Sequence, residues 1–132
     1  MTLFIFLGES IIAQMGTGGT RRELDSRHFL KSCIGFLHSN GMSDFSRLDG
    51  VALLFGDSKF TVSRQIATAV NGLAFVFGIP VTALRAAALD EDSITAGVRA
   101  LGRRSARRRF AIPRYHALPH ITKPGKKRGG RY

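Results

Sequence analysis

Tryptophan is missing from this chain, cysteine occurs once, and no acidic residue follows Asp92. Each absence excludes something. A lone thiol, Cys33, cannot form an intramolecular disulfide, so a reducing setting is the simplest reading. Long apolar runs are also lacking. The opening TLFIFL is broken by Gly8 and Glu9, which is too short for a bilayer span. It has neither a basic leader nor a small-residue cleavage site, so it does not read as a signal peptide. The expectation is a soluble, cytoplasmic protein with no membrane contact.

What is present is a normal apolar fraction, 44% of 132 residues, enough for one domain with a real core. The net charge of +11 is placed unevenly. Residues 1–92 carry eight Lys/Arg against nine Asp/Glu, whereas residues 93–132 carry twelve Lys/Arg and no acid. A near-neutral body with a cationic end attracts phosphate polymers or acidic surfaces, without any implied sequence specificity.

Hydrophobic spacing orders the body. TLFIFL and SIIAQM read as two strands joined by a tight hairpin at Gly8-Glu9. Gly16–Gly19 is a loop. From Leu24 to Leu37 the period becomes helical, with Phe29, Leu30, Cys33, Ile34 and Leu37 on one face and Asn40-Gly41 as the stop. Ser43–Leu48 is a turn or short helix. Gly50–Phe55 reads as a strand buried on both faces. Thr61–Phe77 is a second helix with Val62, Ile66, Ala69, Val70, Leu73 and Phe77 along its stripe, ended by Gly78. Ile79–Leu84 is a last strand, parallel to its predecessor through a right-handed crossover. The class is α/β, with a mixed sheet of about four strands and two main helices. Asp90–Ser93 then starts a helix that runs through Ile94, Val98 and Leu101 into a run of arginines. From Pro113 onward an extended tail is expected.

One junction carries candidate chemistry. In GDSKFTVSRQ a buried strand meets a helix start, where unpaired N–H groups can hold an anion. Gly56, Ser58, Thr61 and Arg64 are the candidate anion or nucleotide residues. The same residues also read as a plain turn, with Gly56 giving backbone freedom, Ser58 or Thr61 capping, and Phe60 packing beneath. Other chemistry is excluded. Asp57 and Ser58 do not form a Gly-x-Ser-x-Gly elbow, and no histidine is evidently paired with them. His116 and His120 are separated by Pro119, which bars a helical metal pair, and no metal is expected. His28 reads as a helix-surface residue, His38 as a helix end, and Cys33 as core.

The stretch SRLDGVALLFGDSKFTVSRQIATAVNGLAFVFGIPVTAL resembles the signature region of the TsaB family. There a strand leads into Gly-Pro-Gly-Ser-Phe-Thr-Gly-Leu-Arg. Gly56, Phe60, Thr61 and Arg64 match that motif, as do the later Gly72-Leu73-Ala74 and Ile79-Pro80-Val81. Asp57 replaces the proline, Ser58 the second glycine, Lys59 the serine, Val62 the third glycine and Ser63 the leucine. The ending IPRYHALPHITKPGKKR is similar to the Pro-x-Tyr, Lys-rich close of many members.

The resemblance implies half of an ASKHA (ribonuclease H-like) lobe over residues 1–88. A basic helix over 89–111 would replace the second lobe, and an extended basic tail would follow over 112–132. The family's first strand, with its Asp-Thr-Ser-like turn, would be absent, the hairpin strands standing for the second and third. With the loop glycines replaced, no cofactor is expected beyond weak ATP or ADP binding. The resemblance also implies a non-catalytic partner of the larger paralogue TsaD in threonylcarbamoyladenosine modification of tRNA. A heterodimer would form through helix faces carrying Phe29, Leu30, Cys33, Ile34, Leu37, Val62, Ile66, Ala69, Val70 and Leu73, with a homodimer as the fallback. In the tail, Arg103, Arg104, Arg107, Arg108, Arg109, Lys126, Lys127 and Arg128 would lie along tRNA phosphates. Two further alternatives stand: a small basic RNA- or ribosome-binding protein, and a degenerate ASKHA fragment that retains nucleotide binding.

Overall fold

Alternating apolar and fully apolar runs assemble one five-stranded sheet. The computed structural model describes residues 1–104, the side chains of Arg103 and Arg104 excepted. Strands β1 (Thr2–Leu7), β2 (Ile11–Met15) and β3 (Arg21–Leu24) come first, followed by helix α1 (Phe29–Ser39). A 3-10 turn at Phe45–Arg47 precedes β4 (Gly50–Phe55), α2 (Phe60–Phe77), β5 (Val81–Arg85) and α3 (Glu91–Arg104). The strand order is β3-β2-β1-β4-β5. β1 pairs antiparallel with β2, with Leu7 opposite Ile11, and parallel with β4, with Leu7 opposite Phe55. β4 and β5 are parallel, as expected.

Two expectations are corrected. Residue Leu24 does not begin a helix; it closes β3, and α1 starts at Phe29. The strand was hidden because RREL buries only Leu24, and its other side chains are charged, as suits an edge. The sheet therefore has five strands where about four were expected. β1 lies centrally between β2 and β4, and the strand without an apolar signature is the third one.

The period-2 alternation of the strands divides the core. Leu3, Ile5 and Leu7 of β1, with Val51, Leu53 and Phe55 of β4, face α1 and α2. Phe4 of β1, with Ala52 and Leu54 of β4, faces Ile94 and Leu101 of α3. Because β4 is covered on both sides, all six of its residues are buried. α3 thus packs on the second face of the same sheet as residues 1–88. There Gly97 lets the helix approach: an added Cβ would lie 3.2 Å from that of Ala52 and 3.3 Å from Phe4.

Helix ends follow local chemistry. α1 closes with Gly41 at φ +79°, its N–H reaching the His38 carbonyl while Met42 N–H reaches that of Leu37. Gly78, at φ +69°, ends α2 in the same left-handed region. Before α3, Asp90 accepts from the Ser93 N–H at 2.9 Å and its own N–H donates to the Ser93 hydroxyl at 3.0 Å. The second face is further secured by Arg21. Its Nε donates to Gln14 Oε1 at 2.6 Å and its Nη2 to the Leu89 carbonyl at 2.9 Å, so buried Gln14 is paired and the loop entering α3 is tied to β3.

Candidate functional site

At the end of the sheet where β1 and β4 finish, three segments surround an open cleft of about 780 Å³. Gly8–Ser10 comes from the β1–β2 turn, Glu23–Ser26 from the exit of β3, and Asp57–Lys59 from the entry to α2. Four carboxylates, Glu9, Glu23, Asp25 and Asp57, line the cleft against one cation, Lys59. His28 Nδ1 lies 3.1 Å from Asp25 Oδ2, and the Arg27 N–H donates to Oδ1 at 2.9 Å. The hydrogen bond from His28, and then that from Arg27, holds the Asp25 carboxyl below its ordinary value. His28 is accordingly the N-cap position of α1, and not a residue on the helix surface.

The four candidate anion residues do not converge. Arg64 and Thr61 are exposed and do not line the cleft. The N-cap of α2 is Lys59, with no side-chain cap, so neither Ser58 nor Thr61 caps the helix. Ser58 instead pairs its hydroxyl with that of buried Ser63. Gly56 has an ordinary negative φ, and its value is space. A Cβ there would lie 2.8 Å from Phe6 Cζ and 3.2 Å from the Leu7 carbonyl oxygen. A polyphosphate entering this cleft would meet carboxylates on three sides, opposed by one ammonium and the partial positive charge of one helix end. The residues present do not suit ATP or ADP. No histidine lines the cleft, and among the described residues no group of three or more His, Cys, Asp or Glu could hold a metal.

The helix faces divide differently from the expectation. Phe29, Cys33 and Leu37 of α1, with Ile66 and Val70 of α2, are buried in the chain's own core and are unavailable to a partner. Val62, Ala69 and Leu73 are half-buried against that core. Leu30 and Ile34 are exposed, at 45% and 43%. The stripe of α1 is rotated toward Phe36, and that of α2 toward Ser63, Ala67 and Ala74, whose small side chains let the helix lie close on β4. The outer surface of α2 carries Phe75 and Val76, exposed by 73% and 72%. Sequence reasoning passed over both. The signal was the FVF run at the helix end, of which only Phe77 packs inward, its ring 5.9 Å from that of Phe45.

Burial alone pushes the Cys33 thiol up to about 12, as a core residue. His38, in the last turn of α1, has its Nε2 3.2 Å from the Ser43 carbonyl oxygen. Of the basic residues assigned to RNA, Arg103 and Arg104 are the last residues of α3. Arg107, Arg108, Arg109, Lys126, Lys127 and Arg128 lie outside the described residues, as do His116 and His120. On α3, Val98 is exposed by 47%, and Ala100 is buried with Ile94 and Leu101. Among the described residues, no helix is long and apolar enough to cross a membrane.

No protein-family model and no curated relative matches the chain. Among solved structures it is similar to YeaZ from Pseudomonas aeruginosa, with 24% identity and a TM-score of 0.51 over 64% of this chain. A second structure is described as an uncharacterized protein with similarity to peptidase YEAZ from Pseudomonas aeruginosa. It gives 25% identity and a TM-score of 0.49, again over 64%. This chain spans 44% of the length of each. Over the described residues the fold is therefore similar to part of YeaZ, α/β with a mixed five-stranded sheet and three helices.

Proposed function

We propose that this chain is a non-catalytic partner of a TsaD-like paralogue in threonylcarbamoyladenosine modification of tRNA. The fold it shares with YeaZ, a TsaB protein, and the Phe60-Thr61 and Gly72-Leu73-Ala74 matches in α2 support the reading. The observation that carries it is the exposure of Leu30, Ile34, Phe75 and Val76 on two helices that cover one sheet face. Large apolar side chains held this far in water are stabilised when a partner covers them. The arginine- and lysine-rich end would add electrostatic affinity for tRNA phosphates.

Reconstitution tests this. Threonylcarbamoyl transfer by the TsaD-like paralogue from the same genome is measured with and without this chain. Stimulation supports the reading, and equal turnover in both mixtures counts against it. A homodimer through the same face is the second reading, favoured by the same four side chains. Sedimentation of the chain alone would reveal it as a concentration-dependent rise in mass.

A further inference from the structure

At the end of the sheet where β2 finishes and β3 begins, a second cavity of about 420 Å³ lies against the first turns of α3. Small-molecule sites begin at about 300 Å³, so a ligand of metabolite size fits. One wall is a cross-strand row. Gln14 of β2 is opposite both Phe4 of β1 and Arg21 of β3, on the face that α3 covers. Gln14 is 1% exposed. Its Nε2 donates to the Gly16 carbonyl at 2.9 Å, and its Oε1 accepts from Arg21 Nε at 2.6 Å. A glutamine amide can make four hydrogen bonds, so one N–H and one lone pair remain for a ligand. Arg21 is likewise held by two bonds, the second to the Leu89 carbonyl at 2.9 Å, which leaves three of its five N–H donors. Glu91 lines the same cavity from the first turn of α3, yet no ion pair joins it to Arg21.

From this arrangement we infer that the cavity binds a free amino acid, with its carboxylate on Arg21 and Gln14 and its ammonium on Glu91. Two opposite charges that share a cavity without pairing with each other match a ligand that carries both. The guanidinium is already fixed by Gln14 and Leu89, so holding a carboxylate costs little further ordering. The Thr17 and Thr95 hydroxyls also line the cavity and suit a short polar side chain. A phosphate is the less suitable ligand, because it brings no cation for Glu91 and is repelled by it. The site is at the opposite end of the sheet from the acid-lined cleft, since β2 runs antiparallel to β1. It shares no residue with Leu30, Ile34, Phe75 and Val76, so it goes beyond the proposed function and does not depend on it.

The test is isothermal titration calorimetry of the full chain against each of the twenty L-amino acids, with inorganic phosphate as the comparison. At least one amino acid is expected to bind at millimolar concentration or below. Its carboxamide, which lacks the carboxylate, and its N-acetyl derivative, which lacks the ammonium, should each bind about tenfold more weakly or worse. Glu91→Gln should lower the affinity for the amino acid itself by about tenfold or more, and Thr95→Val by less. Both side chains belong to exposed residues, and a melting curve of each variant establishes that it is folded. Glu9→Gln, in the acid-lined cleft, should change the affinity by less than about twofold. Failure of every amino acid to bind, or equal binding of inorganic phosphate, overturns the choice of ligand. An affinity indifferent to Glu91→Gln, or lowered as much by Glu9→Gln, overturns the placement of the site.

Discussion

Replacing Gly56 by alanine separates a packing role from an anion-binding role at the entry to α2. The added Cβ would lie 2.8 and 3.0 Å from two atoms of the Phe6 ring, inside the 3.4 Å where ordinary contact begins. Normally a phenyl ring would swing aside. Here the opposite ring edge faces Gly8, where an added Cβ would lie 2.7 Å from Phe6 Cε2, so the ring is flanked by both glycines. The Leu7 carbonyl, which accepts the Gly56 N–H at 2.8 Å, holds the backbone in place. Overpacking of this kind costs about 1–3 kcal/mol, a fall in melting temperature of about 4–12 °C for a domain of this size. Urea unfolding of Gly56→Ala should show that loss. The Phe6→Leu background should recover most of it, giving a coupling energy of about 1 kcal/mol or more. A neutral Gly56→Ala, or a loss that Phe6→Leu does not reduce, refutes the reasoning. If the wild-type melting temperature rises with ADP or sulfate and that rise disappears in Gly56→Ala, the glycine serves an anion after all.

Three further outcomes follow from named groups. Arg21→Ala removes the donor that pairs buried Gln14 and the tie to Leu89, so it should cost about 1–3 kcal/mol. The loss should shrink in a Gln14→Leu background; additive losses contradict the network. Cys33, raised from 9.0 to about 12, is a group whose charged form the fold disfavours. Its stabilising contribution is complete below pH 9.0, is lost as pH rises toward 12, and leaves about a thousandfold less thiolate than an exposed thiol at pH 8. A thiol reagent should therefore react only as the chain unfolds, and fast labelling of the native protein would contradict the burial. Asp25, Asp44 and Asp90 all have carboxyls held below 3.8, so the stability they add is present above that pH and fades as acid protonates them. For Asp90 the first cause is the hydrogen bond from the Ser93 N–H. Asp90→Asn keeps the cap but should flatten the acid limb of melting temperature against pH; an unchanged limb counts against the assignment.

Elements whose residues are all constrained in one way were legible. β4 is apolar at five of six positions, and the α2 stop at Gly78 needs a left-handed residue, so each stood out in the letters. β3 did not, since its pairing is satisfied by backbone and its charged side chains belong to an exposed edge. Arg22, one of them, rests 5.5 Å from the centre of the Phe36 ring and so screens part of the α1 contact. The cleft was illegible for another reason. Its carboxylates come from positions 9, 23, 25 and 57, which only the sheet order brings together. Helical spacing located α2 and the body of α1, but it could not tell inner from outer apolar residues. Leu30 and Ile34 follow the same period as Phe29 and Cys33, and only the position of the sheet separates them.

The most direct measurement is sedimentation of this chain with its TsaD-like paralogue. The account predicts a one-to-one complex that weakens at least tenfold when Ile34 and Phe75 are both changed to aspartate, a loss of about 1.4 kcal/mol or more. A chain that sediments alone in the presence of the paralogue, or a complex indifferent to those two changes, would contradict it.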